Sequence, residues 1–508
     1  MDPIKIKEGI HWVGVQDPEL RVFDMIMRTE YGTSYNAYLI QGRDKTALVE
    51  TVKEPFFDSY LKNIEQIVPL HSIDYLIMNH SEPDHAGSLA HLLELNPNLT
   101  VVAHPTALDF LKQVSNSNFK TLAVGNRGTL DLGGKNLRFI GAMFLHWPDT
   151  MYTYIDEDRL LFTCDSFGCH FSDERLFNDL IPGDFNPAYR YYFDHILSPF
   201  KPYVIKALDK LGHYEIDMIC PGHGPILRSN VPYYINLYRQ WSSPPPAQSV
   251  PRVVVAYMSA YGYTKMLAEQ VEKGLQAAGN FEIKVFDLVV DPLDQVVQEI
   301  DRAQGLFIGS PTLNRDALPP IWDLLGHLSP ITHADIVAAA FGSYGWSGEA
   351  VPNIQTRLHM LRMRVLPGLK VRFHPTDQDL SKAFALGLKM GRILLSPDHE
   401  MVEVQLEPRP IKARLDLKAN DYIKRYESPD LTVYWNPGLC HHDTYCFTRR
   451  ADVFNPEARP WVNLKGADPE KIIRAIDHCP SGALRYVIPQ GSSLNPEAFN
   501  GPGLLKEE

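Results

Sequence analysis

Up to about residue 240, apolar residues fall in short runs at 37–40, 47–49, 75–78, 99–103, 137–140, 152–155 and 159–162. Runs of this length, several alternating with polar positions and bounded by turn residues, predict strands; residues 56–68 read as a helix. Together they predict a mixed α/β sheet domain over 1–248, with no internal repeat. Ser242-Ser243-Pro244-Pro245-Pro246-Ala247-Gln248-Ser249 closes this block; consecutive prolines cannot donate to a ladder and favour extended backbone, so the stretch reads as a linker. Beyond it, 253–257 predicts a buried strand and 265–278 a helix whose apolar face is Leu267, Val271 and Leu275. Further strands at 283–286, 305–308 and 336–341, with helices between them, give the rhythm of a doubly wound parallel sheet over 249–398. Residues 399–508 begin with charged, strand-like sequence at 401–406 and 412–417 and include a short helix at 469–475. A piece this small often uses a metal or cluster as a staple.

Length and composition agree with this division. The chain of 508 residues is long enough for about three domains. Apolar residues make up 44% and charged residues 22%, so each domain can bury an ordinary core. A net charge of -12 and a pI near 5.9 argue against general affinity for nucleic acid or anionic lipid, which needs clustered Lys and Arg. Six cysteines, Cys164, Cys169 and Cys220 in the first half and Cys440, Cys446 and Cys479 near the end, are too few for a disulfide framework and fit a reducing cytoplasm. The first eight residues carry no apolar signal region, and no stretch approaches the roughly 18 apolar residues of a membrane span. Neither export nor a membrane anchor is predicted.

The densest chemistry follows the run at 75–78. Met78-Asn79-His80-Ser81-Glu82-Pro83-Asp84-His85 holds four metal-capable side chains within six residues. Read as extended backbone, it places His80, Glu82 and Asp84 on one side. Three more residues, His146, Asp165 and His223, each follow an apolar strand and precede a turn, which is where a rigid sheet mounts ligands. One His or Asp alone would read as a surface or capping residue. The set repeats a single pattern and reads as a metal site.

The pattern H-x-[HE]-x-D-H, followed by a distant His, Asp and His, resembles the metallo-β-lactamase fold, an αββα sandwich, over about residues 1–245. Hydrolases of that superfamily usually have His where Glu82 stands, and they hold zinc. A carboxylate there makes the site harder and more anionic, which suits iron better. With His146-Trp147-Pro148-Asp149 and a second α/β domain following, the chain is similar to flavodiiron proteins. That resemblance implies one iron held by His80, Glu82 and His146. The other would be surrounded by Asp84, His223 and His85 or its vicinity, with Asp165 bridging. In the family the last His of the motif is generally turned away from the metals. The implied ligands are therefore His80, Glu82, Asp84, His146, Asp165 and His223, with His85 and His170 outside the set.

In the second domain Ser259-Ala260-Tyr261-Gly262-Tyr263-Thr264 joins the first strand to the first helix. Hydroxyls and unsatisfied N–H groups at such a helix start bind phosphate, although a Ser/Thr/Gly turn alone also reads as an ordinary cap. Ser310-Pro311-Thr312-Leu313-Asn314 and Gly342-Ser343-Tyr344-Gly345-Trp346-Ser347-Gly348 follow later strands of the same sheet. Together the three loops resemble short-chain flavodoxins and imply FMN. Ser259, Tyr261, Gly262, Tyr263 and Thr264 would cradle its phosphate, Pro311, Thr312, Leu313 and Asn314 would run beside the flavin, and Ser343, Tyr344, Gly345 and Trp346 would border its ring. Usual members carry a small residue at the position of Tyr263. No G-x-G-x-x-G follows the first strand, which disfavours a dinucleotide.

Cys440-His441-His442-Asp443-Thr444-Tyr445-Cys446 and Cys479-Pro480-Ser481-Gly482-Ala483-Leu484 supply three thiols and one or two imidazoles, enough for a soft four-coordinate site. Over about 430–488 the pattern resembles a divergent mono-cluster iron-sulfur domain. It implies a [4Fe-4S]-type cluster on Cys440, Cys446 and Cys479 with His442 as fourth ligand; structural zinc is the alternative.

The three implied sites form an electron path from cluster to FMN to di-iron centre. The resemblance implies an oxidoreductase that reduces O2 to water, NO to N2O, or both, and that is supplied by a reduced electron donor. It also implies a head-to-tail homodimer or homotetramer, in which flavin and metals of different chains meet. The alternatives are a zinc-dependent hydrolase of the same fold and a non-catalytic redox sensor or electron carrier.

Overall fold

The computed structural model describes residues 1–23, 27–125, 128–243, 250–396, 422–440, 445–479 and 481–505. These residues fall into two compact units, Met1–Val250 with Leu328–Ala334, and Pro251–His327 with Asp335–Glu508.

The first unit stacks two sheets. A seven-stranded sheet runs Ile4–Lys7, Ile10–Trp12, Tyr38–Gln41, Thr46–Val49, Tyr75–Met78, Thr100–Ala103, Lys120–Ala123, antiparallel up to Thr46–Val49 and parallel from there on. A five-stranded sheet runs Thr129–Asp131, Asn136–Gly141, Met151–Ile155, Leu160–Cys164, Met218–Pro221, with only the last pair parallel. The period-2 pattern divides each strand between two cores. Ile40, Val49, Ile77 and Val102 meet Phe139, Ile155, Phe162 and Met218 between the sheets. Leu39, Leu48, Leu76 and Val101 lie on the other face, in a cluster with Tyr60, Ile64, Leu92 and Leu111 from helices Phe57–Glu65, Leu89–Leu95 and Pro105–Ser115. Helices Lys201–Leu211 and Val231–Ser242 contribute Leu208 and Tyr238. This is the expected αββα sandwich. Ser242 ends a helix, and 244–249 of the expected linker lie outside the described residues.

In the second unit a parallel sheet takes the order Glu282–Asp287, Arg252–Tyr257, Gly305–Gly309, Val337–Tyr344. The next strand position is shared: Arg364–Val365 pairs with the first part of Val337–Tyr344, and Leu369–Arg372 with the last part. This 2-1-3-4-5 order puts three loops at the strand C-terminal ends, where doubly wound sheets bind ligands. Helices Tyr263–Ala278 and Asp377–Leu395 cross so closely that a Cβ on Gly274 would lie 2.0 Å from the Phe384 carbonyl oxygen, and one on Gly387 would lie 2.1 Å from that of Val271. Only glycine permits this approach.

The end of the chain adds an antiparallel sheet of Lys424–Glu427, Thr432–Trp435 and Leu484–Val487. Its core combines Leu431, Val433, Phe454 and Tyr486 with Ile472, Ile473 and Ile476 from helix Pro469–Asp477. The strands expected at 401–406 and 412–417 lie outside the described residues.

Candidate functional site

The residues expected at the metal site lie in the loops and the short helical turn that follow strands. His80 and Glu82 follow Tyr75–Met78, and the chain is pinned there by the Asn79 amide, which donates to Glu50 Oε1 at 2.8 Å. Ser81 donates its amide to Asp149 Oδ2 at 2.8 Å, while Asp149 Oδ1 lies 3.3 Å from His80 Nδ1. One buried carboxylate thus fixes both the loop and the ring, leaving His80 Nε2 to the site. Extended backbone stops at Glu82: Pro83, with its preset φ, opens the helical turn Pro83–Ala86. Asp84 and His85 are therefore helical and do not continue the alternation of His80 and Glu82. His146 (φ 37°) and Cys164 (φ 51°), next to Asp165, occupy left-handed backbone, a cost that marks functional turns. His223 follows Met218–Pro221 and donates from Nδ1 to the Ser34 carbonyl at 2.7 Å.

These side chains form two groups that share one carboxylate. Asp165 Oδ2 lies 3.0 Å from His146 Nε2 and 3.6 Å from His80 Nε2; Glu82 Oε2 is 3.1 Å from His80 Nε2 and 3.2 Å from His146 Nε2. Asp165 Oδ1 faces the other group, 3.5 Å from His223 Nε2 and 3.1 Å from His85 Nε2; Asp84 Oδ2 lies 3.0 Å from the former and 3.6 Å from the latter. All six expected residues come together. His85, expected to turn away, instead points its Nε2 into the second group. The reason is packing from distant segments. Thr51 donates its amide (2.9 Å) and its hydroxyl to the His85 carbonyl. Gly222 leaves room for the ring, since a Cβ there would lie 2.5 Å from His85 Cε1. His170 stays outside, its Nδ1 2.9 Å from Thr33 Oγ1 and its ring against Phe23.

Crowding sets the electrostatics. Burial alone would raise the Asp165 carboxyl, but the imidazoles of His85, His146 and His223 hold it well below the usual carboxylate range. Burial disfavours the charged rings, yet hydrogen bonds to Asp165 and Glu82 lift His146 to about 9, and those to Asp165 and Asp84 lift His223 to about 10. Ionised carboxylates facing imidazoles that hold their protons this tightly are a donor set in which a cation can replace the protons. Asp84 Oδ1, buried and without a hydrogen-bond partner, fits such a cation as well. The mixed oxygen and nitrogen donors suit iron. A cavity of about 550 Å³, lined in part by Lys53, Glu82, Pro83, Asp84 and Val114, opens beside the ligand loop.

Sequence reasoning missed four neighbours. Asp149 was legible, lying in the quoted His-Trp-Pro-Asp run. Glu50, pushed up to about 7 by burial, Cys164, 3.7 Å from His85 Nε2, and Tyr192, whose hydroxyl donates to Asp165 Oδ1 at 2.8 Å, follow no local pattern. They arrive through the fold.

The three flavin loops converge at one end of their sheet. Gly262 (φ 82°) precedes helix Tyr263–Ala278. Ser259 Oγ accepts from the Lys265 amide at 3.2 Å, and the buried hydroxyls of Thr264 and Ser343 pair at 2.9 Å. Thr312 is tied to the third loop through its amide, 2.9 Å from the Ser343 carbonyl oxygen, and Leu313 bonds across a tight turn to Asp316, past Asn314 in left-handed backbone (φ 51°). Ser310 and Pro311 begin this loop, and Tyr344, Gly345 and Trp346 lead out of strand Val337–Tyr344. Tyr261 and Trp346 are 80% and 79% exposed. Large aromatic faces left beside a phosphate-type turn fit a planar flavin.

Cys440 follows the turn Pro437–Leu439, Cys446 lies in helix Tyr445–Arg449, and Cys479 follows Pro469–Asp477. Burial raises the Cys446 thiol, and the neighbouring Cys440 and Cys479 add to it. Three thiols that repel one another as thiolates are relieved by a metal cluster. Tyr445 stacks on His478 at 5.1 Å, joining the residues just before Cys446 and Cys479. His442 lies outside the described residues.

Three family models match the chain: the ODP family beta lactamase over 33–224, flavodoxin over 255–387 and the divergent 4Fe-4S mono-cluster over 426–489. The flavo-diiron protein FprA2 of Clostridium acetobutylicum is 43% identical over 396 residues, covering 76% of this chain and 98% of its own. The nitric oxide reductase of Moorella thermoacetica is 37% identical over 397 residues, covering 77% and 98%. Among solved structures, the rubredoxin oxygen:oxidoreductase of Desulfovibrio gigas matches with a TM-score of 0.56 at 28% identity, over 77% of this chain and 98% of its own. Two histidine-carboxylate groups sharing Asp165 and a flavin-type sheet therefore coincide with likeness along nearly the whole length of these relatives, while the cysteine-bearing third piece is matched by the mono-cluster family model: the chain belongs to the flavodiiron protein family.

Proposed function

We propose that the chain reduces O2 to water, NO to N2O, or both, with electrons entering at the C-terminal cluster and reaching the paired-metal site through FMN. The observation that carries this reading is Asp165, which offers one carboxylate oxygen to each histidine-carboxylate group. His80, Glu82 and His146 would hold one iron, Asp84 and His223 the other, with His85 in reach of the second. Iron bound there supplies redox equivalents and Lewis acidity to a diatomic substrate. The protein's part is placement. Asp149 and the Ser34 carbonyl fix the His80 and His223 rings, and Tyr192 holds Asp165 by its hydroxyl. Glu82 and Asp84 line the adjacent cavity, which would admit a small molecule to the site. Glu82, rather than a third imidazole, favours this redox reading over zinc hydrolysis.

The same reading assigns Ser259, Tyr261, Gly262, Tyr263 and Thr264 to the FMN phosphate. Pro311, Thr312, Leu313 and Asn314, with Ser343, Tyr344, Gly345 and Trp346, take the flavin. Cys440, Cys446, Cys479 and His442 take the cluster. The domains are 1–248, 249–398 and 399–508. No helix among the described residues is long and apolar enough to cross a membrane; with the sparse cysteines this supports a cytoplasmic enzyme fed by a reduced redox protein or reductase. A head-to-tail homodimer or homotetramer supports flavin-to-metal transfer between chains.

Stopped-flow oxidation of the anaerobically reduced protein by O2 and, separately, NO tests the proposal. Reoxidation should be fast with at least one gas and slowed by Glu82→Ala at least about 10- to 100-fold, the loss when a ligand's outer-shell partner is removed and so a lower bound for a ligand itself. Equal rates in the two proteins would favour a carrier or sensor; two bound zinc ions with esterase turnover would favour a hydrolase.

A further inference from the structure

We infer that Arg449 and Asp335 form a docking contact that parks the cysteine-bearing domain at the edge of the flavin-type sheet opposite the flavin loops, and that this contact opens before electrons pass between those two sites of one chain. The inference rests on the redox reading above. Arg449 ends the helix Tyr445–Arg449 that carries Cys446. Its guanidinium pairs with the Asp335 carboxylate and donates from Nη2 to the Arg362 carbonyl at 3.1 Å. Asp335 and Arg362 both sit at turns (φ 78° and 61°) just ahead of the parallel strands Val337–Tyr344 and Arg364–Val365. The docking point is thus the N-terminal edge of the sheet.

The flavin loops lie at the other edge. Val337–Tyr344 has eight residues, which at about 3.3 Å each separates the edges by roughly 25 Å. Cys446 is three residues from Arg449, about one helical turn, or roughly 5 Å along the axis. In the docked state the thiols therefore stand most of a sheet's length from Ser343, Tyr344 and the phosphate turn. Electron tunnelling slows exponentially with distance, so a domain released toward the flavin loops delivers electrons faster than one parked at this edge. The contact is also suited to letting go. On the Asp335 side, 61% exposed against 24% for Arg449, the pair is open to solvent, and ion pairs reached by solvent contribute little and are screened by salt. Docking accordingly suits electron uptake, and release suits delivery.

The test uses the full-length, cofactor-loaded protein as Arg449→Glu, Asp335→Arg and the charge-swapped double variant. Iron, sulfide and FMN contents come first; absence of the cluster or flavin would defeat the redox reading itself, separately from the docking. Small-angle X-ray scattering then gives the radius of gyration at low salt. Flavin bleaching after flash reduction of the cysteine-bound centre by a photoexcited one-electron donor gives the transfer rate. Arg449→Glu and Asp335→Arg should enlarge the radius of gyration and quicken bleaching about two- to fivefold, the scale of one exposed ion pair. The double variant should restore both values, and about 0.5 M salt should make the wild type behave like the single variants. An unchanged radius of gyration, or bleaching that is unchanged or slower in Arg449→Glu, overturns the inference.

Discussion

Asp165 stands where the two histidine-carboxylate groups meet, and the protons around it couple them. In the metal-free protein the hydrogen-bonded carboxylates push His146 and His223 from their ordinary 6.5 up to about 9 and about 10. Their stabilising share is therefore full below pH 6.5 and lost as pH rises through those values. Asp165 and Glu82 are depressed, so their share is present above the ordinary 3.8 and 4.5 and lost as pH falls. Glu50, raised from 4.5 to about 7, loses its share across that interval. The metal-free first domain should melt highest near pH 4.5–6.5 and lose stability toward pH 10; metal loading, which replaces the histidine protons, should flatten the alkaline limb. Melting of chelated and loaded protein at several pH values checks this, and an alkaline limb unchanged by metal would contradict it. Asp149→Asn removes the charge behind His80 and should lower iron affinity about 10- to 100-fold, measured by competition with a chelator. An unaltered affinity would mean the His80 ring needs no such support.

Elements were legible where a strong pattern is uninterrupted. The strands at 47–49, 152–155 and 305–308 were found within about two residues, because their alternate or continuous burial is written directly in side-chain polarity. The ligand loop was read correctly up to Glu82 and then misread as extended, since Pro83 opens a helical turn. The crossing of Tyr263–Ala278 and Asp377–Leu395 was not foreseen either; glycine at 274 and 387 has meaning only once the two helices touch. Gly387→Val should destabilise the flavin-type domain by about 1–3 kcal/mol through overpacking, read from denaturant unfolding followed by flavin fluorescence. A loss within error would show that the helix pair can separate cheaply.

At the level of the whole molecule, the cysteine-bearing piece has a core of its own. Cys446→Ser should therefore abolish the sulfide-to-iron charge-transfer absorbance while leaving FMN content and iron at the first domain unchanged. A parallel loss of FMN would argue against that independence. Sedimentation of the loaded protein should show a dimer or tetramer stable to dilution; a monomer would leave flavin and metal site to communicate by another route.

The sequence, through residue identity, spacing and the family resemblance they carry, determined the three-part layout, the site of Asp165 and its five expected neighbours, and the iron-favouring Glu82, because strand alternation and ligand chemistry are local properties of a chain. The tertiary structure decided what local spacing does not encode. It turned His85 toward the second group through Thr51 and Gly222, brought Glu50 and Cys164 to its side and Tyr192 to Asp165, and set Arg449 against Asp335. Each of these depends on contacts between segments far apart in sequence, whose meeting is fixed by packing and not by pattern.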